Sequence, residues 1–236
     1  MARVRQFVDP SALADAVTTI AGRALQPAIA HRGHASLVLS GGSTPRLFLR
    51  TLAECRVCWR DVTVTLADER WVADSDPRSN ARLLREQLFR GPAAAARFVP
   101  LKGDAATPDE GVAAAEAALA GIEDPYDLVV LGMGEDGHIA SLFAGASGVD
   151  AALDPAGRAR CIGVTPPPRV EPNVLRMSLT LAELRKGRHL ALVIAGAEKM
   201  RVLDRALSAA CAERAPVTAL FESAATPIDV LWLDNG

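Results

Sequence analysis

Apolar and polar positions follow two recurring patterns along this chain. Short apolar runs, of the length of a buried parallel strand, end in glycine or polar clusters. Between these runs, apolar residues recur at spacings of three and four, as on a helix that packs one face against a sheet. The pattern predicts an α/β protein with a mainly parallel sheet flanked by helices. The predicted strands cover residues 4–8, 35–40, 62–66, 97–101, 127–131, 161–164, 176–179, 189–195 and 228–233.

Capping residues indicate where the helices begin. Asp9 opens an apolar helical pattern that reaches Gly33. Thr44 precedes Pro45, a pairing typical of an N-cap followed by the first helical turn. Residues 147–160 have no clear pattern, and we expect them to form a flexible loop that covers the functional site. Further helices are predicted to begin near Ser79, at Thr107 or Asp109, after Thr180 and at about Glu198.

The stretch at residues 127–145, DLVVLGMGEDGHIASLFAG, joins a strand to a glycine-rich turn. Its glycines permit tight turns and the close approach of a ligand. In open α/β sheets, ligands bind outside the carboxyl ends of the strands. His138 lies directly after this turn, and Asp136 lies two residues before it. His138 is therefore the strongest catalytic candidate in the sequence, and Asp136 is a candidate to orient it.

The same turn satisfies the dinucleotide-binding fingerprint G-x-G-x-x-G, an interpretation that we reject. Glu135 and Asp136 would face a pyrophosphate, and their charges oppose anion binding at a helix N-terminus. The fingerprint also needs an acidic residue at the end of the next strand, about 20 residues further on. Asp150 and Asp154 fall near that position, but in a loop-like stretch. We therefore expect no bound nucleotide.

A second glycine turn follows the predicted strand at residues 35–40. Gly41 and Gly42 expose backbone N–H groups. Ser43 and Thr44 add hydroxyl donors, and the dipole of a following helix favours an anion. The turn predicts a phosphate site, although the G-x-x-x-x-G-K-[ST] spacing of a P-loop is absent. An ordinary capped strand-to-helix turn is the alternative.

Three consecutive charges, Asp68, Glu69 and Arg70, follow the predicted strand at residues 62–66. Because side chains alternate along an extended chain, Glu69 points away from the other two, and only part of the triplet faces a site. An ion pair with a neighbouring arginine explains Glu69 equally well.

One further cation is a candidate for anion binding. Lys199 lies in the first turn of a predicted helix, where a cation opposes the helix dipole, and this position indicates a bound anion. Arg176 begins a predicted strand, where a surface ion pair would account for its charge.

Charge, cysteine content and the N-terminal sequence give no support for a nucleic-acid-binding, membrane-binding, zinc-binding or secreted protein. The formal net charge of −2 gives no support for nucleic acid or an anionic membrane as a partner. Cys55 and Cys58 have C-x-x-C spacing, but nothing completes a zinc site, and we interpret them, with Cys161 and Cys211, as structural thiols. No metal or other cofactor is expected. The N-terminal residues lack the apolar segment of a signal peptide, so we expect a cytoplasmic protein.

Five segments carry a resemblance to a known family. They are LSGGSTP at 39–45, ADERWV at 67–72 with Ser79 and Asn80, LGMGEDGHIASLF at 131–143, RMSL at 176–179 and GAEK at 196–199. Together they resemble the 6-phosphogluconolactonases, within the wider glucosamine-6-phosphate isomerase/deaminase group. The DER-W form resembles the lactonases, since the deaminases carry a different aspartate motif there. Ile139 departs from the pattern, which usually has threonine, and so removes a hydroxyl beside His138.

The resemblance implies a modified Rossmann-like α/β sandwich in a single domain over residues 1–236, without metal or nucleotide. It also implies hydrolysis of 6-phospho-D-glucono-1,5-lactone to 6-phospho-D-gluconate, in the oxidative pentose phosphate pathway. Ester hydrolysis needs an activated water, and an imidazole, with an ordinary pKa of about 6.5, suits general-base work near neutral pH. We therefore expect His138 to activate the water and Asp136 to orient His138.

The remaining candidates divide between the reacting end and the phosphate. Arg70 is expected to steady negative charge on the carbonyl oxygen or to position the substrate, and Asp68 is the next candidate base. A sugar phosphate is the expected partner of a monomer or small homo-oligomer. One rival is an isomerase or deaminase of 6-phospho-amino sugars that uses a carboxylate base such as Asp68; another is a non-catalytic sugar-phosphate sensor. The phosphate is expected to contact Gly41, Gly42, Ser43, Thr44, Arg176 and Lys199.

Overall fold

Parallel strands form the centre of the protein. The computed structural model describes residues 2–208 and 215–235, which contain one seven-stranded sheet and one three-stranded sheet. The strands are β1 (Ala2–Phe7), β2 (Ala35–Leu39), β3 (Val62–Leu66), β4 (Asp68–Arg70), β5 (Arg97–Val99), β6 (Leu128–Leu131), β7 (Cys161–Val164), β8 (Arg176–Leu179), β9 (His189–Ala195) and β10 (Ile228–Leu233). The helices are α1 (Pro10–Arg32), α2 (Leu49–Ala53), α3 (Asn80–Gln87), α4 (Pro108–Ala120), α5 (Val149–Ala152), α6 (Leu181–Leu184), α7 (Ala197–Leu207) and α8 (Pro216–Ser223).

The large sheet has the strand order β1-β10-β9-β6-β2-β3-β5, and each neighbouring pair in it is parallel. In β2, Leu37 pairs with Val64 of β3 on one side and with Leu128 of β6 on the other. Every residue of β2 is buried. A strand that is covered on both faces needs apolar side chains on both, which explains its continuous apolar run. The predicted mainly parallel α/β class is confirmed.

Local capping chemistry sets most of the helix starts. The carboxylate of Asp9 accepts a hydrogen bond from the backbone N–H of Ser11 at the start of α1. Thr107 caps α4 and Thr180 caps α6 in the same way. At its other end, α1 stops at Gly33, whose φ of 79° is the left-handed conformation that favours glycine. These predicted boundaries are confirmed.

The strand order reverses between β2 and β6. From β2 the chain adds β3 and then β5 on one side, and it later returns to place β6, β9 and β10 on the other side. The connections that leave β2 and β6 therefore diverge, and a crevice forms between the carboxyl ends of these two strands. A reversal of this kind is the usual ligand site in open α/β sheets.

The second sheet lies at this same end of the molecule. β4 follows β3 after the single residue Ala67, and it pairs antiparallel with β8, which pairs antiparallel with β7. Arg70 stands opposite Arg176 in this register, and Asp68 stands opposite Ser178. The sequence predicted β7 and β8 as strands, but pairing alone decides that they form a separate sheet.

The predicted helix with Thr44 as its N-cap is wrong. Thr44 is the first residue of a short 3₁₀-helix, Thr44–Leu47, and no side chain caps it. The chain already has helical dihedral angles at Ser43. Phe48, buried with φ −125°, then separates this turn from α2. The expected helix is therefore two short pieces.

Residues 147–160 do not cover the cavity described below. Within the described part of the chain, that cavity has no lining residue from this segment, which contains the short helix α5. Residues of the segment just before β8, Val170 and Glu171, line the cavity instead. The prediction of a cover at residues 147–160 is therefore wrong. Helices α5 and α8 were not predicted.

Two of the four cysteines, Cys55 and Cys161, fit a structural interpretation. Cys55 and Cys161 are buried, and burial raises the pKa of the Cys161 thiol to about 12. Cys58 is exposed, and Cys211 lies outside the described residues. Among the described residues, no helix is long and apolar enough to cross a membrane. The cytoplasmic location and the extent of the single domain, residues 1–236, stay predictions.

Candidate active site

A cavity of about 320 Å³ opens at the carboxyl ends of β2 and β6. The turn after β2, the loop after β6, the small sheet and the start of α7 supply its walls. The predicted site residues all line it except Asp136, which lies behind His138. The lining residues are Ser40, Gly41, Gly42, Ser43, Thr44, Asp68, Arg70, Gly132, Met133, Gly134, His138, Ala140, Val170, Glu171, Arg176 and Lys199.

The turn after β2 brings backbone N–H groups and hydroxyls to one wall. Gly42 has φ +100°, a conformation that favours glycine. Gly41 packs so closely against Asn80 that an added Cβ would overlap the side-chain amide. Because the following 3₁₀-helix has few aligned peptides, its dipole is weaker than the sequence predicted. Anion binding here depends on the N–H groups, on the hydroxyls of Ser43 and Thr44 and on neighbouring cations.

His138 and Asp136 form a hydrogen-bonded pair. Nδ1 of His138 lies 2.5 Å from Oδ1 of Asp136, and the imidazole is 26% exposed. Burial alone would raise the pKa of Asp136, but the hydrogen bond and the charge of His138 lower that pKa to about 2. An ionised carboxylate only accepts, so Nδ1 carries the proton and donates it. The lone pair of Nε2 is then left to accept a proton.

The loop after β6 holds the imidazole between two groups. A Cβ on Gly134 would overlap the ring of His138 and come within 2.8 Å of Asp136 Oδ1. The N–H of Gly134 donates to the carbonyl of His138 at 2.9 Å, and the N–H of Gly137 donates to Gly134. On the far side, the ring of Phe143 packs against the imidazole with centroids 4.4 Å apart. The ring of His138 is therefore fixed by close packing as well as by Asp136.

No helix follows this glycine turn in the described chain. Met133, Ile139 and Leu142 form isolated β-bridges instead, and Ala140 has a positive φ of 49°. A dinucleotide site needs a helix N-terminus at this point to receive the pyrophosphate. The geometry therefore agrees with our rejection of the dinucleotide fingerprint.

Asp68 and Arg70 face the cavity, and the alternation of side chains along β4 explains why they share one side. Oδ2 of Asp68 accepts a hydrogen bond from the hydroxyl of Ser141 at 2.5 Å, and its Oδ1 accepts from Nδ2 of Asn80 at 3.2 Å. Nη1 of Arg70 donates to Oδ1 of Asn80 at 2.6 Å and to the carbonyl of Arg78 at 2.8 Å. The side chains of Asn80 and Ser141 and the backbone carbonyl of Arg78 thus fix the two charged groups.

Glu69 points the opposite way and, among the described residues, does not pair with an arginine side chain. Its carboxylate accepts from the backbone N–H groups of Asn80 and Ala81, each at 2.7 Å, and from the hydroxyl of Ser79. Burial raises its pKa, although these hydrogen bonds oppose the rise. The carboxylate sits at the N-terminus of α3, where the helix dipole stabilises negative charge. The suggested ion pair is therefore wrong, and Glu69 anchors α3.

Arg176 is buried rather than part of a surface ion pair. Its side chain is only 4% exposed, with Nη1 4.0 Å from Oδ2 of Asp68 and Nη2 donating to the carbonyl of Pro172 at 3.1 Å. The guanidinium lies over the ring of Phe143, 5.2 Å from its centroid. Burial lowers the pKa of Arg176. A cation in such a position is stabilised by an anion in the cavity.

Lys199 reaches the cavity from the first turn of α7. Burial lowers its pKa, and the charge of Glu135 partly opposes that shift. Its placement beside the glycine turn agrees with the anion that the sequence predicted. Lys199 thus adds a third cation to Arg70 and Arg176, and it comes from a separate element.

Three residues that line the cavity each carry a buried polar atom with no hydrogen-bond partner within the described chain. These atoms are Oγ of Ser40, Nε of Arg70 and Nε of Arg176. Buried polar groups are almost always hydrogen-bonded, so unpartnered atoms on three residues around one cavity indicate a polar ligand. The sequence did not single out Ser40, although its place at the end of a central strand was a usable signal. For Asn80, Ser141 and Glu171, the neighbouring sequence contains nothing that predicts their positions at or behind the cavity wall.

In the ranges 2–208 and 215–235, no group of three or more histidine, cysteine, aspartate or glutamate residues is arranged to hold a metal ion. In the cavity, Asp68 is already hydrogen-bonded, and its neighbours Arg70 and Arg176 are cations. This donor set suits an anionic organic ligand better than a metal.

Comparison with known proteins agrees with this geometry. Residues 8–232 match the family described as glucosamine-6-phosphate isomerases/6-phosphogluconolactonase. The 6-phosphogluconolactonase of Rhizobium meliloti (strain 1021) is 41% identical over 231 residues, covering 98% of each chain. The 6-phosphogluconolactonase of Pseudomonas aeruginosa is 42% identical over 215 residues, covering 90% of this chain and 87% of the relative. The crystal structure of a 6-phosphogluconolactonase from Shewanella baltica OS155 superposes with a TM-score of 0.92 at 35% identity, covering 98% of this chain and 97% of that one.

Proposed function

The chain belongs to the family of glucosamine-6-phosphate isomerases and 6-phosphogluconolactonases, and within that family it is a lactone hydrolase. We propose that it hydrolyses 6-phospho-D-glucono-1,5-lactone to 6-phospho-D-gluconate, with His138 as the general base. This reaction is the second step of the oxidative pentose phosphate pathway. The resemblance seen in the sequence is confirmed. The observation that carries the proposed mechanism is the His138–Asp136 pair at the edge of a cavity that is lined by three cations, Arg70, Arg176 and Lys199.

The phosphate is assigned to the cationic wall of the cavity. Arg176 and Lys199 supply charge, and the hydroxyls of Ser43 and Thr44 supply donors, together with the backbone N–H groups of Gly41 and Gly42. The unpartnered Nε of Arg176 supports this assignment, because a phosphate oxygen gives it an acceptor. With the phosphate held there, the lactone ring extends toward His138.

The reaction begins when Nε2 of His138 takes a proton from a water molecule. The water oxygen then bonds to the lactone carbonyl carbon, and negative charge develops on the carbonyl oxygen. Arg70 lines the cavity, and we assign the N–H at its Nε, which has no partner in the described chain, to the stabilisation of that charge. The bond from the carbonyl carbon to the ring oxygen breaks, and His138 returns its proton to that oxygen, which becomes a hydroxyl of the product.

Asp136 supports this cycle without leaving its place. Its carboxylate holds the proton on Nδ1 of His138 and so keeps Nε2 free to act as the base. It also stabilises the imidazolium that exists between the two proton transfers. Its low pKa, about 2, keeps it charged throughout the neutral range.

The rival isomerase or deaminase mechanism needs a carboxylate base such as Asp68. That carboxylate is 7% exposed, accepts from Ser141 and Asn80, and lies 4.0 Å from Arg176. These contacts favour a structural or electrostatic role for Asp68 over proton abstraction. The relatives named above are lactonases, which favours the same choice.

A direct assay separates the candidate functions. The purified protein is incubated with freshly made 6-phospho-D-glucono-1,5-lactone at slightly acid pH, and acid release is measured above spontaneous hydrolysis. Parallel incubation with glucosamine 6-phosphate and an ammonia assay tests the deaminase. We expect fast lactone turnover and no ammonia. Binding of 6-phosphogluconate without turnover of either substrate would identify a sensor and refute the proposed reaction.

A further inference from the structure

Asn80, the first residue of α3, contacts two charged residues of the cavity with one side chain. Its Oδ1 accepts from Nη1 of Arg70 at 2.6 Å. Its Nδ2 donates to the backbone carbonyl of Asp68 at 2.8 Å and to the carboxylate of the same residue at 3.2 Å. Asn80 is buried and does not line the cavity itself. We propose that Asn80 is a positioning residue that sets the orientation of Arg70 and Asp68 for the reaction.

The partners of Asn80 allow its amide only one orientation. A guanidinium only donates, so Arg70 must face Oδ1, and a backbone carbonyl only accepts, so Asp68 must face Nδ2. The backbone N–H of Asn80 donates to Glu69 at 2.7 Å, which fixes the start of α3 beneath the amide. Alanine has neither group, and aspartate has no donor for Asp68. Asparagine therefore meets both demands at this position.

The orientation of Arg70 depends on this contact. Asn80 and the carbonyl of Arg78 both hold Nη1, while Nε is buried and has no hydrogen-bond partner in the described chain. Because the guanidinium is planar, anchoring Nη1 fixes the plane in which the N–H at Nε points. Loss of Asn80 leaves one anchor, about which the plane can turn. The proposal rests on the function proposed above, in which Nε of Arg70 faces the developing negative charge.

Gly41 links this arrangement to the phosphate turn. A Cβ at Gly41 would overlap the side-chain atoms of Asn80, so the two residues occupy adjoining space with no room between them. The position of Asn80 therefore also limits where the turn after β2 can lie. The side-chain amide of Asn80 thus contacts both the charged residues of β4 and the turn after β2.

A double-mutant cycle tests the proposal, with kcat/KM for 6-phospho-D-glucono-1,5-lactone as the readout. Asn80→Ala alone is expected to lower kcat/KM by about 10- to 100-fold, the loss typical of a hydrogen bond to a charged group. In an Arg70→Ala background, the same substitution is expected to cost less than about 3-fold, because the group that Asn80 positions is gone. Additive effects would overturn the proposal, since a purely structural role does not depend on Arg70.

The neighbouring residue provides a matched control. Ser79 caps α3, accepting from the backbone N–H of Arg82, and it does not contact Arg70. Ser79→Ala is expected to lower the melting temperature while kcat/KM stays within about 2-fold, because a lost cap affects mainly helix stability. Coupling between Ser79→Ala and Arg70→Ala equal to that of Asn80→Ala would also overturn the proposal. If Asn80→Ala does not fold, Asn80→Ser replaces it in the same cycle, since a serine side chain is too short to span both partners.

The cycle also keeps this proposal separate from the proposed function. A folded parent protein without lactone turnover refutes the function itself. An active parent whose two substitutions add independently refutes only the positioning role of Asn80.

Discussion

The Cα of Gly134 lies where any side chain would collide with the ring of His138. A Cβ built on Gly134 overlaps Cε1 and Nδ1 of that imidazole. The backbone N–H of Gly134 also donates to the carbonyl of His138 at 2.9 Å, so the two residues cannot move apart without breaking the turn. The glycine is thus a steric requirement of the His138–Asp136 pair.

Gly134→Ala is expected to displace the imidazole and lower kcat by at least about 10²-fold, because a small misplacement of a catalytic group has this effect. Far-ultraviolet circular dichroism and the melting temperature show whether the fold survives. Gly103→Ala is the control, because a Cβ at Gly103 has no neighbour within 4 Å. Full activity in Gly134→Ala would contradict the role given to the pair.

His138→Asn is expected to lower kcat by about 10²- to 10⁴-fold, the usual contribution of a positioned general base. KM for the lactone is expected to change only a few-fold, since the phosphate contacts remain. Rates must be measured above the spontaneous hydrolysis of the lactone. A variant that keeps more than about a third of the parental kcat would assign the base elsewhere. Asp68 would then be the next residue to test.

Asp136 predicts a pH dependence of stability. Its pKa of about 2 in the folded state lies below the ordinary value of about 3.9. A lowered pKa stabilises the fold above the unfolded-state pKa, and this stabilisation is lost as the pH falls through the folded-state value. The difference in melting temperature between the parent and Asp136→Asn is therefore expected to shrink as the pH falls below about pH 4. A difference that grows below about pH 4 would contradict the ionised carboxylate.

Lys199→Ala is expected to raise KM for the phosphorylated lactone by about 10- to 150-fold, with a smaller effect on kcat, because one charged contact to the phosphate is lost. Unphosphorylated gluconolactone is expected to be a poor substrate for the parent and hardly worse for the variant. Lys102→Ala is the control, since its ammonium lies over the ring of Trp71 and outside the cavity. Equal impairment of both lactones by Lys199→Ala would refute the phosphate assignment.

Prolonged dialysis against EDTA is expected to leave the activity unchanged, because the proposed steps use an imidazole, a carboxylate and a guanidinium. No binding of NAD or NADP is expected in calorimetry at micromolar nucleotide. Loss of activity that Mg²⁺ or Zn²⁺ restores would require a metal in the mechanism. Micromolar NADP binding would revive the dinucleotide interpretation of the glycine turn.

The sequence by itself determined the elements and most of the candidate site. Strands such as β2 are predictable from the sequence because burial on both faces requires a continuous apolar run. The helix caps at Asp9, Thr107 and Thr180 are predictable from the sequence because the capping side chain and its backbone partner lie within three residues of each other. His138 was predictable as a site residue because it follows a glycine turn at the end of a strand, and that pattern also lies within a short segment of the sequence.

Only the tertiary structure decided how these residues meet. The antiparallel register of β4 and β8 places Arg70 opposite Arg176, although more than a hundred residues separate them in the chain. The same register buries Arg176 beside Asp68. At the start of α3, the backbone N–H of Asn80 donates to Glu69, and the side chain of Asn80 accepts a hydrogen bond from Arg70. Such contacts depend on strand pairing and helix docking between distant segments. Residue type and spacing encode the backbone conformation of each segment, but not which segments will lie next to one another.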